Sequence, residues 1–264
     1  MRTLSPVVVF WDRLLGLGAA AQLAPAEWVV AASAAVALLV VGSERLWRQA
    51  RIVITIAHES GHAAASLLSG RKLEGIRLHY DTSGETISRG RRSGPGIILT
   101  AMAGYVTPPL LGVGAAALLA AHRVNLLLSL FVLLLAVTLT LIRNWYGALA
   151  VLACGGALFA VIWLASPTLR AGFGYTAAWF LLFGGVRPVA ELARSRRRPV
   201  RRPASARSPV TVSDADQLAR LTRLPAGLWV AFFGLVGLVA LVLAARLLVP
   251  WPVHLPSLHS FGGD

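Results

Sequence analysis

Only 14% of the 264 residues are charged, acidic residues number 11 against 25 basic ones, and Lys72 is the only lysine. There is one cysteine, Cys154, set within an apolar run. A single cysteine excludes an internal disulfide and a Cys-rich zinc site. The polar stretches between apolar runs are too short to bury a core of their own, which excludes a separate soluble domain. No internal repeat is present. What fills the chain is apolar: 56% of residues are hydrophobic and the mean hydropathy is +0.70. Runs near the roughly 20 residues that cross a bilayer recur along the whole length. The composition therefore specifies an all-α polytopic membrane protein.

The net charge of +14 sits almost entirely on arginines in the short links between apolar runs. That placement suits loops facing an anionic leaflet and setting orientation, and it argues against a nucleic-acid partner. Residues 1–25 carry Arg2, Asp12 and Arg13 around an apolar stretch and read as an interfacial segment. A single membrane domain is expected over 26–249, with about six to seven membrane helices, and an irregular tail over 250–264. The candidate spans are 26–42, 52–70, 95–120, 124–142, 145–165, 173–192 and 224–249. Pro95 after Gly94 suits the first position of a helix. Pro108 and Pro109 are expected to kink or break that same helix.

Residues 71–93 differ in kind. Ile76, Leu78 and Tyr80 alternate with Arg77 and His79, Asp81-Thr82-Ser83-Gly84 has turn chemistry, and Thr86 and Ile87 follow. This pattern predicts a short β-hairpin at about 72–90, directly after the span at 52–70. A basic loop occupies about 193–223, and its run 194–207 is expected to face the cytoplasm. Counting back through the spans then places Arg143 and the hairpin on the same side as that run. The Arg45/Arg48/Arg51 link comes out on the opposite side, against the positive-inside tendency.

His58-Glu59-Ser60-Gly61-His62 is an H-E-x-x-H sequence inside an apolar stretch. Side chains four apart stack on one helix face, so both imidazoles can hold one Zn²⁺. Glu59 lies about 100° around the helix, within reach of a water on that metal. With six His in the chain, a chance match has a frequency of roughly 0.3%, so the motif is informative. Its setting adds weight, because an ionisable group within a span costs about 2.5–3.5 kcal/mol and three together call for a partner. A metal supplies one.

A catalytic zinc usually has three protein ligands and one open position. The remaining His residues are His79, His122, His254 and His259; Asp214 and Asp216 stand among the carboxylates, just before the last span. Ser213-Asp214-Ala215-Asp216 also fits a capping box opening a short helix over 215–223, a role compatible with ligation by a neighbouring carboxylate.

These residues bring a family into view. The stretches AHESGHAAASLLSGRKLEGIRLHYDTSGETISRG, GPGIILTAMAGY, IRNWYG and SDADQLARLT together resemble the site-2 protease family of intramembrane zinc metalloproteases, in its compact bacterial branch. The resemblance implies peptide-bond hydrolysis in membrane-embedded or membrane-adjacent protein segments, with Zn²⁺ as cofactor and Glu59 as catalytic base. It implies a bacterial cytoplasmic membrane location, a membrane protein as substrate and the bilayer as surroundings. No stretch specifies an oligomer. In the family an Asp from a later segment completes the His58 and His62 ligand set, usually within an L-D-G sequence that this chain lacks. The carry-over falls on Asp214, with Asp216 as the alternative. Asn144 corresponds to a family Asn that holds substrate backbone or a developing oxyanion. The competing reading is a non-catalytic zinc-binding membrane scaffold or transporter component.

Overall fold

The computed structural model describes residues 25–197 and 212–249. The expected interfacial segment, most of the Arg-rich run and the C-terminal tail lie outside the described residues. Within them the chain forms eight helices and one hairpin. These are α1 (Glu27–Gly42), α2 (Glu44–Leu68), β1 (Lys72–Leu78), β2 (Gly84–Arg89), α3 (Pro95–Ala120), α4 (Val124–Leu141), α5 (Trp145–Leu164), α6 (Pro167–Arg197), α7 (Asp214–Thr222) and α8 (Ala226–Leu248). The protein is an all-α polytopic membrane fold carrying one small antiparallel hairpin.

Four helices, α3, α4, α5 and α8, are long and apolar enough to cross a membrane. Helices α1 and α2 are bent by 102° at Ser43 and add a fifth only when taken together as a broken span or re-entrant loop. The seven segments read from the sequence therefore do not each qualify as a span. At sixteen residues, α1 extends only about 24 Å, short of the roughly 30 Å of hydrocarbon. Helix α2 begins with Glu44, Arg45 and Arg48 and carries the H-E-x-x-H residues. Helix α6 includes Arg170, Arg187 and Glu191, and it packs along α1, α3 and α8, which shield it from lipid.

The α1–α2 elbow is tied to α6 by one arginine. Arg187 donates to the Val41 carbonyl at the end of α1, pairs with Glu44 (2.5 Å) and Glu191 (2.9 Å), and lies 4.9 Å over the buried Trp47 ring. Two turns earlier in α1, Ser33 donates to the Gly172 carbonyl near the start of α6 (3.0 Å). Helices α1 and α6 therefore run in the same direction, and α2 turns away across the bundle.

Gly94, with φ +104, leads into Pro95 at the first turn of α3, as the Gly-Pro pair suggested. Helix α3 is not broken at Pro108 and Pro109 but continues through both. Both prolines are buried, and Pro109 packs against α6, where a Cβ on Gly185 would stand 2.9 Å from its Cδ. Packing against a neighbouring helix supports the stretch from which proline withdraws its N–H groups.

The hairpin forms where the alternation placed it. Its turn is closed by Asp81, whose carboxylate accepts from the Ser83 N–H (3.0 Å) and hydroxyl (2.6 Å). Strand β1 pairs with β2 on one side, from Lys72 opposite Arg89 to Leu78 opposite Gly84. On the other side it meets the extended link between α4 and α5. Ile76 bridges Ile142 in parallel, and the Arg143 N–H donates to the Ile76 carbonyl (2.9 Å). Gly75, at φ +149, allows that approach, since a Cβ there would stand 2.8 Å from the Leu141 carbonyl oxygen. Ile76 and Leu78 are fully buried in a cluster with Ile56, Ala63, Ile142 and Val151, which fastens the hairpin to α2.

Candidate metal centre

Two helices bring the ligands together from opposite ends of the sequence. In α2, His58 and His62 lie one turn apart with their Nε2 atoms 3.0 Å from each other. From α7, Asp214 Oδ2 reaches 3.1 Å from His58 Nε2 and 3.3 Å from His62 Nε2. Among the described residues this trio is the group of His, Cys, Asp or Glu side chains that could hold a metal. Asp216 is engaged elsewhere. It closes a capping box with Ser213 and pairs with Arg196 (2.5 Å). The box thus anchors α7, and its first residue, Asp214, faces the two imidazoles. Helix α7 starts at Asp214 and ends at Thr222, with Arg223 in the left-handed conformation (φ 62), one residue earlier at each end than the sequence reading.

Apolar contacts hold α7 in place. Ala215 and Leu218 are fully buried in a cluster with Ala101 of α3, Val189 of α6, and Val230 and Phe233 of α8. Burial alone would push the Asp214 carboxyl up, but hydrogen bonds and charge from His58 and His62 hold it well below the usual carboxylate range.

The His62 ring is fixed from behind. Its Nδ1 lies 2.6 Å from the Thr100 carbonyl, which can only accept, so Nδ1 carries a proton and the ring is turned with Nε2 facing the centre. The His58 ring packs edge-on against Tyr105, with centroids 4.8 Å apart. Between these two residues of α3, Gly104 leaves room for both imidazoles, since a Cβ there would stand 2.6 Å from His58 Nε2. Gly61 likewise lets α2 and α3 cross closely, its Cβ position lying 2.8 Å from the Ala103 carbonyl oxygen.

The three donors fit zinc. With zinc–ligand bonds of about 2.0–2.1 Å, neighbouring ligands at tetrahedral corners lie about 3.3 Å apart. The observed separations of 3.0, 3.1 and 3.3 Å match that edge. A shared proton satisfies one pair of these atoms, whereas a cation satisfies all three. Two imidazoles and one carboxylate form the ligand class of zinc hydrolases, which keep a fourth position open.

Glu59 is buried beside this trio, under the hairpin. Its Oε2 accepts from the Thr86 hydroxyl of β2 (2.7 Å), and a Cβ on Gly84 would stand 2.9 Å from its Oε1. The Asn144 amide is engaged with the end of β1. Its Nδ2 donates to the Leu78 carbonyl (2.7 Å) and its Oδ1 accepts from the Leu78 N–H (3.1 Å). Both ends of the amide thus hold the last residue of β1. Asn144 also occupies the N-cap position of α5 without a side-chain cap bond. His79 is exposed at the hairpin, and His254 and His259 lie outside the described residues. A cavity of about 540 Å³ lies behind α2, lined by Ser60, Gly61 and Ala64 with residues of α3 to α6. None of His58, Glu59, His62 or Asp214 lines it, so it is separate from the metal centre.

Sequence reasoning missed Thr86, Gly84 and Gly104. Thr86 and Gly84 fall in the hairpin stretch and Gly104 in GPGIILTAMAGY, but nothing in their local pattern sets them apart.

The fold and the trio define a class: an integral membrane protein with a His₂Asp centre and a buried carboxylate beside it. A sequence model described as Peptidase M50B-like matches residues 31–244, and the chain belongs to that family, of site-2 protease type. No curated protein and no solved structure matches the chain.

Proposed function

We propose that this chain is a zinc-dependent intramembrane endopeptidase that hydrolyses peptide bonds in membrane-embedded or membrane-adjacent segments of other proteins. The observation that carries the proposal is the convergence of His58, His62 and Asp214 within ligand distance beside the buried Glu59. When bound, zinc polarises the scissile carbonyl and acidifies the attacking water. His58, His62 and Asp214 hold it, and the Thr100 carbonyl keeps the His62 ring turned with Nε2 inward. Glu59 takes the proton of the attacking water and returns it to the leaving amine nitrogen.

The hairpin receives the substrate. One edge of β1 is taken by β2 and the other by the 142–144 link, which leaves the outer edge of β2 open to an extended peptide. Pairing there supplies main-chain hydrogen bonds with little demand on sequence. The same strand carries Gly84 and Thr86 over Glu59, so a peptide added to it arrives beside the base.

The protein resides in a bacterial cytoplasmic membrane with the Arg-rich 194–207 loop on the cytoplasmic face. Arg45, Arg48 and Arg51 share that face. Helix α1 runs from Gly172 to Arg187 of α6, and α6 ends in Arg194, Arg196 and Arg197. The elbow therefore begins α2 near the basic end of α6, which restores agreement with the positive-inside tendency.

The test is cleavage of a membrane-segment substrate by the purified, zinc-loaded protein. Glu59→Gln should keep the metal and lower turnover by about 10²-fold or more. A wild-type protein that holds zinc yet cleaves nothing is instead the non-catalytic scaffold.

A further inference from the structure

Glu59 has two carboxylate oxygens, and the structure treats them differently. Oε2 accepts the Thr86 hydroxyl at 2.7 Å, while the Glu59 carbonyl lies 3.0 Å from that same hydroxyl oxygen. A threonine hydroxyl has one proton to donate, so the two acceptors share a single donor on β2. Oε1 lies against Gly84, where the absence of a side chain makes room for it: a Cβ there would stand 2.9 Å from Oε1 and 2.6 Å from Cγ. The glycine is not imposed by the backbone, because Gly84 does not have positive φ. The space itself is what the glycine provides.

A second contact shows that the strand is held to α2 independently of Glu59. The Thr55 hydroxyl, one turn before Glu59, donates to the Thr82 carbonyl at the hairpin turn (2.7 Å). The hairpin is thus latched at its turn by Thr55 and touches the base through Thr86. A latch alone requires no hydrogen bond to a buried carboxylate.

We propose that Thr86 is a positioning residue for Glu59: by holding Oε2, it leaves Oε1, opposite the side-chain-free Gly84, as the oxygen that exchanges protons with the reacting groups. The proposal rests on the endopeptidase reading for its kinetic consequence, and on the observed contacts for its structural one. Removing the hydroxyl frees the carboxylate to rotate, so that Oε1 and Oε2 compete for the same place. Residues that orient a group next to a metal site in this way typically alter activity by about 10- to 100-fold.

The experiment uses the full-length protein in detergent or bilayers, with Thr86→Val, Thr86→Ser and Thr55→Val, and has two arms. In the first, infrared difference spectra of the metal-free wild type against Glu59→Gln identify the Glu59 carboxylate band. Thr86→Val should shift that band, while Thr86→Ser should restore it and Thr55→Val should leave it in place. In the second, Thr86→Val should lower kcat by about tenfold or more with KM and zinc content little changed, and Thr86→Ser should recover most of the loss. The proposal is overturned if Thr86→Val leaves the band unmoved, or if Thr55→Val reproduces the shift. It is equally overturned if an active protein loses KM rather than kcat, or if serine fails to rescue. Should the wild type hold zinc and cleave no substrate, the endopeptidase reading fails, and the infrared arm alone decides the Thr86 contact.

Discussion

Two glycines shape the centre as much as its ligands do. Gly104 lies where any Cβ would press on both imidazoles, and Gly84 lies where a Cβ would press on Glu59. Gly104→Ala should therefore push His58 and His62 apart and weaken zinc binding by about 10- to 100-fold, as losses next to ligands commonly do. A competition titration against a chelator of known affinity checks this, and unchanged affinity would show that α3 shifts to accommodate the methyl group. His58, Glu59 and His62 were legible in the sequence because their relation is local: a helix fixes which residues share a face. Asp214 was legible through the scarcity of carboxylates and the resemblance, and the capping box assigned Asp216 its separate task. Gly104 and Thr86 were not legible. Their roles exist only once α3 and β2 close on α2, and no periodicity within either element records that approach.

At the scale of elements, the hairpin is held as a central strand and an outer strand rather than as a free ribbon. Isolated two-stranded hairpins are marginal in water. Here the 142–144 link supplies a third line of hydrogen bonds along β1, and Asn144 ends it by pairing both polar groups of the fully buried Leu78. Asn144→Ala leaves those two groups unmatched and should cost about 1–3 kcal/mol for each group left unsatisfied. Faster hydrogen exchange at Leu78 with zinc content retained would check the assignment; loss of turnover with exchange unchanged would instead assign Asn144 a direct role with substrate. The hairpin itself was readable from its alternation and its Asp81 turn. The parallel bridge was not, because residues 76 and 142 are far apart in sequence and IRNWYG reads as the boundary between two apolar runs. Helix α7 shows the same division. Its cap is written in Ser213 and Asp216, whereas its seat depends on Ala101, Val189, Val230 and Phe233 from three other helices.

For the whole molecule, the apolar runs announced an all-α membrane protein, and by length and composition four of its helices, or five with the α1–α2 pair, can cross. Length and hydropathy do not show whether a helix bends after sixteen residues or lies shielded behind its neighbours. The 102° elbow at Ser43 and the Arg187 contacts with Val41, Glu44 and Trp47 decide the path of the first two helices. They also predict that cysteines placed at Arg48 and Arg194 react with an impermeant thiol reagent from the same side of the membrane. Labelling from opposite sides would mean that α2 crosses by itself. All of these relations converge on a trio between α2 and α7 that could hold one metal ion, and the zinc content of purified variants tests that most directly. The account predicts about one zinc per chain in the wild type and in Asp216→Ala, with the metal lost in His58→Ala, His62→Ala and Asp214→Ala. A wild-type protein without zinc, or an Asp214→Ala variant that keeps it, would contradict the account.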